Sequence, residues 1–130
     1  MIKKTIVIIS SDILFPLLFE TLLFQKINDL RIIICKSIQD INQKLDVSVV
    51  NLIILDSILN DIPSFEIMRY IRMEKRIISP IFFFPEIQTE NYIYKSYVMG
   101  TSRIINKPFD PYKVTDEIAD FLNCNKKIQL

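Results

Sequence analysis

The sequence predicts an α/β fold, a doubly wound parallel sheet of five strands with helices on both faces, and three observations carry that prediction. Short apolar runs rich in Ile, Val and Phe recur five times, each bounded by polar residues, and alternate with longer segments of helical periodicity. Three of the runs are almost continuously hydrophobic, as a strand must be when helices cover both faces of a parallel sheet. The length, 130 residues of which half are hydrophobic, suits one domain with one core. Right-handed crossovers then place successive helices on the two faces.

The first strand is read at Thr5–Ile9. Its apolar run ends in Ser10-Ser11-Asp12, too short for the hydrophobic region of a signal peptide or for a membrane span. The first helix spans Ile13–Asn28, with Ser11 or Asp12 as N-cap, Pro16 in the opening turn, and Leu14, Leu17, Leu18, Leu22 and Phe24 as its apolar positions. The second strand, Arg31–Cys35, leads into a short helix, Ile38–Leu45, capped by Ser37 with Asp40 three residues on. The third strand is Asn51–Leu55, followed by a helix over Ser64–Lys75 with Phe65, Met68, Ile71 and Arg72 on its inward face. The fourth strand, Ile81–Phe84, precedes a helix over Glu90–Met99 that stops at Gly100, the residue type that best accepts a left-handed helix terminus. The fifth strand, Arg103–Ile105, precedes a helix over Tyr112–Asn123 with Asp110 as N-cap, Pro111 at its first position, and Val114, Ile118, Phe121 and Leu122 facing in. The domain is assigned to 1–124, and 125–130 are read as a polar tail or the start of a linker.

Composition excludes several functions. Sixteen basic and fifteen acidic residues leave a net charge of +1, so no bulk field argues for direct nucleic-acid contact or for a membrane surface. The chain has no histidine, and Cys35 and Cys124 lack metal-ligand spacing. A His/Cys zinc site is excluded, and the two residues read as reduced thiols of a cytoplasmic protein. Gly100 is the only glycine, so phosphate-cradling loops of the P-loop or dinucleotide-binding type are absent.

In a doubly wound sheet a site lies at the carboxyl ends of the strands. There the sequence puts Ser10, Ser11 and Asp12 after the first strand, Asp56 after the third, Pro85 and Glu86 after the fourth, and Asn106, Lys107 and Pro108 after the fifth. Leu55-Asp56, followed about fifty residues on by Gly100 through the Lys107-Pro108-Phe109 ending, resembles a bacterial response-regulator receiver domain, of flavodoxin-like (βα)5 fold. The resemblance implies that Asp56 stands at the phosphoacceptor position, that Lys107 pairs with the phosphate, and that the Lys107–Pro108 bond is cis. It further implies a histidine kinase as phosphodonor and Mg2+ at the acidic residues. A carboxylate nucleophile, a hard cation and a lysine are the parts such a phosphoryl transfer needs.

The departures from that pattern shape the functional expectation. Ser10 and Ser11 replace the usual acidic pair, leaving Asp12 and Asp56 as the only metal candidates, so Mg2+ is expected to bind weakly or not at all. The two switch positions are substituted: Pro85 has no hydroxyl and Ile104 has no aromatic ring. An ion pair between Asp56 and Lys107 that persists without phosphate is expected. Tyr92, Tyr94, Tyr97 and Tyr112 cannot all face inward, and they are read as interface candidates on the surface of the fourth helix, fifth strand and fifth helix, for a protein partner or a second copy.

The reading is therefore an atypical receiver acting as a protein-interaction module in signalling or transcriptional control, independent of phosphorylation and not an enzyme. One rival keeps the fold and restores phosphorylation of Asp56 by a histidine kinase with Mg2+. A second, an enzyme using Ser10 or Ser11, or a flavin protein, finds no base and no glycine-rich loop.

Overall fold

The computed structural model describes residues 3–45, 49–57, 59–86 and 89–122. The elements run β1 (Lys4–Ile9), α1 (Leu14–Lys26), β2 (Leu30–Cys35), α2 (Ile38–Lys44), β3 (Leu52–Asp56), α3 (Ser64–Arg69, continued by a π-helical turn Tyr70–Glu74), β4 (Ile81–Phe84), α4 (Glu90–Val98), β5 (Thr101–Ile104) and α5 (Pro111–Phe121). All strand pairs are parallel and the order is β2-β1-β3-β4-β5. The chain steps outward from β1 to β2 and then crosses to the other side of β1 to form β3. The switch point is therefore between β1 and β3, and their carboxyl ends flank the crevice where α/β sheets place ligands.

Alternation along the strands divides the core in two. Ile6, Ile8, Leu52, Ile54, Phe82 and Phe84 face α1 and α5, where Phe15, Phe19, Leu23 and Ile118 meet them. Val7, Ile9, Ile53, Leu55, Ile81 and Phe83 face the other layer, with Ile41 of α2, Ile67 and Met68 of α3, and Tyr92 of α4 against them. At one sheet edge, β2 leaves a side unpaired, and the Lys44 ammonium of α2 reaches the Ile34 carbonyl there at 2.9 Å.

The caps follow the sequence. Asp12 accepts from the backbone N–H groups of Ile13 (2.9 Å) and Phe15 (3.2 Å) at the start of α1. Ser37 accepts from Asp40 N–H, Thr89 from Tyr92 N–H, and Asp110 from Tyr112 and Lys113 N–H. Gly100 closes α4 at φ +88°, a left-handed conformation that suits glycine.

Three helix faces differ in part from the sequence reading. In α1 the buried side chains are Phe15, Phe19, Leu22, Leu23 and Lys26, whereas Leu14, Leu17, Leu18 and Phe24 are exposed. This helix is apolar nearly all round, so its periodicity has no phase to read. Lys26 is buried because its ammonium donates to the Tyr112 carbonyl and Thr115 Oγ1, each at 2.8 Å, and pairs with Asp116 at 3.2 Å. In α5, Phe121 is largely exposed, its ring touching Phe82 edge-on, and Thr115 and Ala119 take inward places.

In α3, Ile67 joins Met68 and Ile71 in the core. The π-helical turn shifts the phase by adding a residue to that turn. Arg72 points at the sheet's amino end, where its guanidinium donates to the carbonyls of Ile77 (2.9 Å), Ser79 (2.8 Å), Met99 (3.1 Å) and Gly100 (3.0 Å). A Cβ on Gly100 would lie 2.9 Å from the same guanidinium. Cys124 and the 125–130 tail lie outside the described residues.

Candidate functional site

Asp56 ends the central strand at the switch point and is 1% exposed. Both oxygens of its carboxylate are engaged by protein donors. Oδ1 accepts from the Lys107 ammonium and from the Ser57 backbone N–H at 2.8 Å. Oδ2 accepts from the Ser10 hydroxyl at 2.7 Å. The Ser57 hydroxyl lies beside them, 3.4 Å from Oδ1 and 3.3 Å from Lys107 Nζ. Ends of β1, β3 and the segment after β5 are thereby tied through one carboxylate.

Lys107 reaches this point from a cis Lys107–Pro108 peptide. Its ammonium also sits 5.3 Å from the Phe15 ring centroid, a favourable placement for a cation over an aromatic face. Phe15, Phe19, Phe84 and Phe109 form a ring cluster beneath it, with Phe15–Phe84 centroids 5.1 Å apart and Phe84–Phe109 5.0 Å. Phe84 stands opposite Asp56 in the sheet register. An apolar floor of this kind strengthens the ion pair by excluding water.

The other carboxyl-edge residues take supporting places. Ser11 accepts from Asn60 N–H at 3.0 Å and fastens the loop after β3 to the loop after β1. Asp12 turns its two oxygens to the first turn of α1 rather than to Asp56. Pro85 is buried behind β4, Glu86 and Asn106 are exposed, and Ile104 is half-buried. Neither Pro85 nor Ile104 brings a hydroxyl or an aromatic ring to the site.

The donors do not fit a magnesium ion. Such a cation takes one or two free carboxylates with waters and phosphate oxygens, and here one carboxylate is bonded to Lys107, Ser57 and Ser10 and the other caps a helix. Among the described residues no group of three or more His, Cys, Asp and Glu is placed to hold a metal.

The four interface candidates differ in exposure. Tyr94 and Tyr97 are exposed on α4 with Val98 beside them. Tyr92 is half-buried, its ring 4.7 Å from that of Phe65 and 6.1 Å from that of Phe83. Tyr112 is exposed on α5, which packs on the opposite sheet face from α4, and its ring lies 5.4 Å from Lys26 Nζ. Sequence reasoning missed a second apolar surface: Leu14, Leu17 and Leu18 of α1 line an open groove of about 830 Å3 that continues over Pro108, Phe109 and Tyr112. The signal was present in the unbroken apolar run Leu14–Phe19 of α1, which exceeds what one buried face requires. Ser57 was also missed, since a serine after a strand has no pattern of its own.

The fold matches solved structures over most of the chain. The chain has the fold of response-regulator receiver domains. A two-component response regulator from Clostridium difficile superposes with a TM-score of 0.79 over 93% of this chain and 97% of that one, at 19% identity. The non-phosphorylated HemR receiver domain from Leptospira biflexa gives 0.75 over 98% and 100%, at 20% identity. DrrB of Thermotoga maritima, an OmpR/PhoB homologue, gives 0.75 over 94% of this chain at 19% identity, and the match spans 54% of DrrB. No family model matches the sequence, and no curated protein matches it. No helix among the described residues is long and apolar enough to cross a membrane.

Proposed function

We propose that this receiver-fold chain is an atypical receiver, a protein-interaction module of two-component-type signalling or transcriptional control whose state does not depend on phosphorylation of Asp56. The observation that carries the reading is the Asp56 carboxylate itself, which is already neutralised by Lys107 and hydrogen-bonded on both oxygens. A nucleophile held this way must loosen a half-buried ion pair and a buried serine hydrogen bond before it can attack. The replaced positions Pro85 and Ile104 support the same reading, because neither can relay a new charge at Asp56 by a hydroxyl contact or a ring movement.

A protein partner is supported by exposed apolar side chains in two places, Tyr94, Tyr97 and Val98 on α4 and the leucines of α1. Tyrosine and leucine in contiguous exposed patches favour a protein surface over a solvated one. In this reading α4, β5 and α5 form the partner or dimer surface, the protein is cytoplasmic, and it performs no catalysis of its own.

The second reading is a working phosphoacceptor, favoured by the pairing of Asp56 with a lysine at the carboxyl edge. Intact mass after incubation with acetyl phosphate, with and without Mg2+, separates the two. No added mass is the expected result. Gain of one phosphoryl group in the wild type, lost in Asp56→Asn, would establish the second reading and end the first.

A further inference from the structure

Ser10 is fully buried, and its hydroxyl has only one way to point. The Asp12 backbone N–H lies 3.1 Å from Ser10 Oγ and can only donate, so Oγ accepts there. The Asp56 carboxylate 2.7 Å away, paired with the Lys107 ammonium, can only accept, so the Ser10 proton is directed at Oδ2. Oδ2 is the one Asp56 oxygen that neither Lys107 nor Ser57 occupies. A divalent cation approaching the carboxylate from the β1 side would meet the hydrogen of this hydroxyl, which carries partial positive charge.

We propose that Ser10 is the residue that makes this site independent of divalent cations: its hydroxyl takes the Asp56 oxygen a cation would need and holds the aspartate–lysine pair closed. The inference rests on the reading of the edge as a receiver-type site, and it adds the particular group that sets its ligand preference. Ser11 does not serve this purpose, because its hydroxyl is engaged with Asn60 on the loop after β3. Charge points the same way. Asp12, Asp56 and Lys107 together leave a single negative charge at the edge, whereas an aspartate at position 10 would double it and replace a donor with an acceptor facing Asp56.

The test compares thermal unfolding of the full chain and of Ser10→Asp in rising MgCl2, against NaCl of matched ionic strength. A ligand that binds the folded form raises the melting temperature with its concentration. The wild type is expected to show no magnesium-specific rise, and Ser10→Asp a saturable one. Should Ser10→Asp be unfolded without cation because two buried carboxylates face each other, recovery of its circular dichroism on adding Mg2+ is the same positive result. A magnesium-specific, saturable rise in the wild type overturns the proposal, as does a Ser10→Asp protein that Mg2+ neither stabilises nor refolds. The acetyl phosphate experiment stays separate. Wild-type phosphorylation without added Mg2+ would defeat the functional reading and leave this inference standing, while magnesium binding without phosphorylation would do the reverse.

Discussion

Arg72→Met should destabilise the domain by about 3 kcal/mol, although Arg72 lies far from the Asp56 edge. Three of its four hydrogen bonds, to Met99, Ile77 and Ser79, are partly buried, and the fourth, to Gly100, is exposed. Counting about 1 kcal/mol for each partly buried bond and nothing for the exposed one gives that figure. Burial also pulls the arginine pKa below its usual value, showing that the guanidinium sits in a partly desolvated place and relies on those carbonyls. Methionine keeps much of the stem's apolar contact, so the loss is of hydrogen bonds more than of packing. For a domain of this size the melting temperature should fall by roughly 10 °C. Urea unfolding measures it directly: the midpoint should move while the slope with denaturant stays constant, since the surface exposed on unfolding is the same. Arg72→Lys should recover less than half, because one ammonium cannot reach the carbonyls of both segments, Ile77 and Ser79 before β4 and Met99 and Gly100 after α4. A loss below about 0.5 kcal/mol in Arg72→Met, within the range of ordinary surface changes, would refute the view that this side chain fastens α4 and β5 to the end of α3.

Other outcomes follow from the same structure. Ser10→Ala leaves Asp56 Oδ2 without its donor and should cost about 1–3 kcal/mol in urea unfolding. Lys26→Met removes the buried link between α1 and α5 and should cost about 2 kcal/mol, whereas Asp116→Asn, whose partner bond is exposed on one side, should cost much less. Burial pushes the Cys35 thiol up to about 12 from an ordinary value of 9.0. The folded form therefore holds its proton while the unfolded thiol ionises. Stability from this group is complete below pH 9 and should fall by roughly 1.4 kcal/mol per pH unit above it, read as the difference in alkaline unfolding between the wild type and Cys35→Ala. Tyr97→Ala and Leu14→Ser should each fold with unchanged circular dichroism. The one that weakens self-association or partner binding in sedimentation identifies the docking surface, and no effect in either would remove both.

The five strands, the caps and the aspartate–lysine edge were legible because each depends on local chemistry that the sequence displays. An apolar run ending in Asp56, a Lys107-Pro108 step after another run, and Asp110-Pro111 before a helix all act over a few residues. The inward face of α1 was not legible, since Leu14, Leu17 and Leu18 are as hydrophobic as Phe15, Phe19 and Leu23, and only the packing of the phenylalanine cluster selects between them. The phase of α3 failed for a different reason. A π-helical turn breaks the 3.6-residue period on which the reading of Arg72 depended, and the carbonyls that hold Arg72 come from segments distant from the helix pattern. At the site, the sequence shows that Ser10 is not an acid. That its hydroxyl bonds Asp56 requires the β1–β3 register, which brings together residues 46 positions apart.

The lysine that reaches across β2 bears on how the protein behaves in concentrated solution. A six-residue edge strand carrying Ile32, Ile33 and Ile34 has the composition that recruits further strands from neighbouring molecules. By filling the Ile34 carbonyl, Lys44 replaces an open acceptor with a solvated positive charge, so one side chain of a helix only seven residues long joins Arg31 of the strand itself in placing positive charge along this edge. Lysine acylation, which leaves the fold's interior untouched, would strip that guard and expose the strand to its own kind.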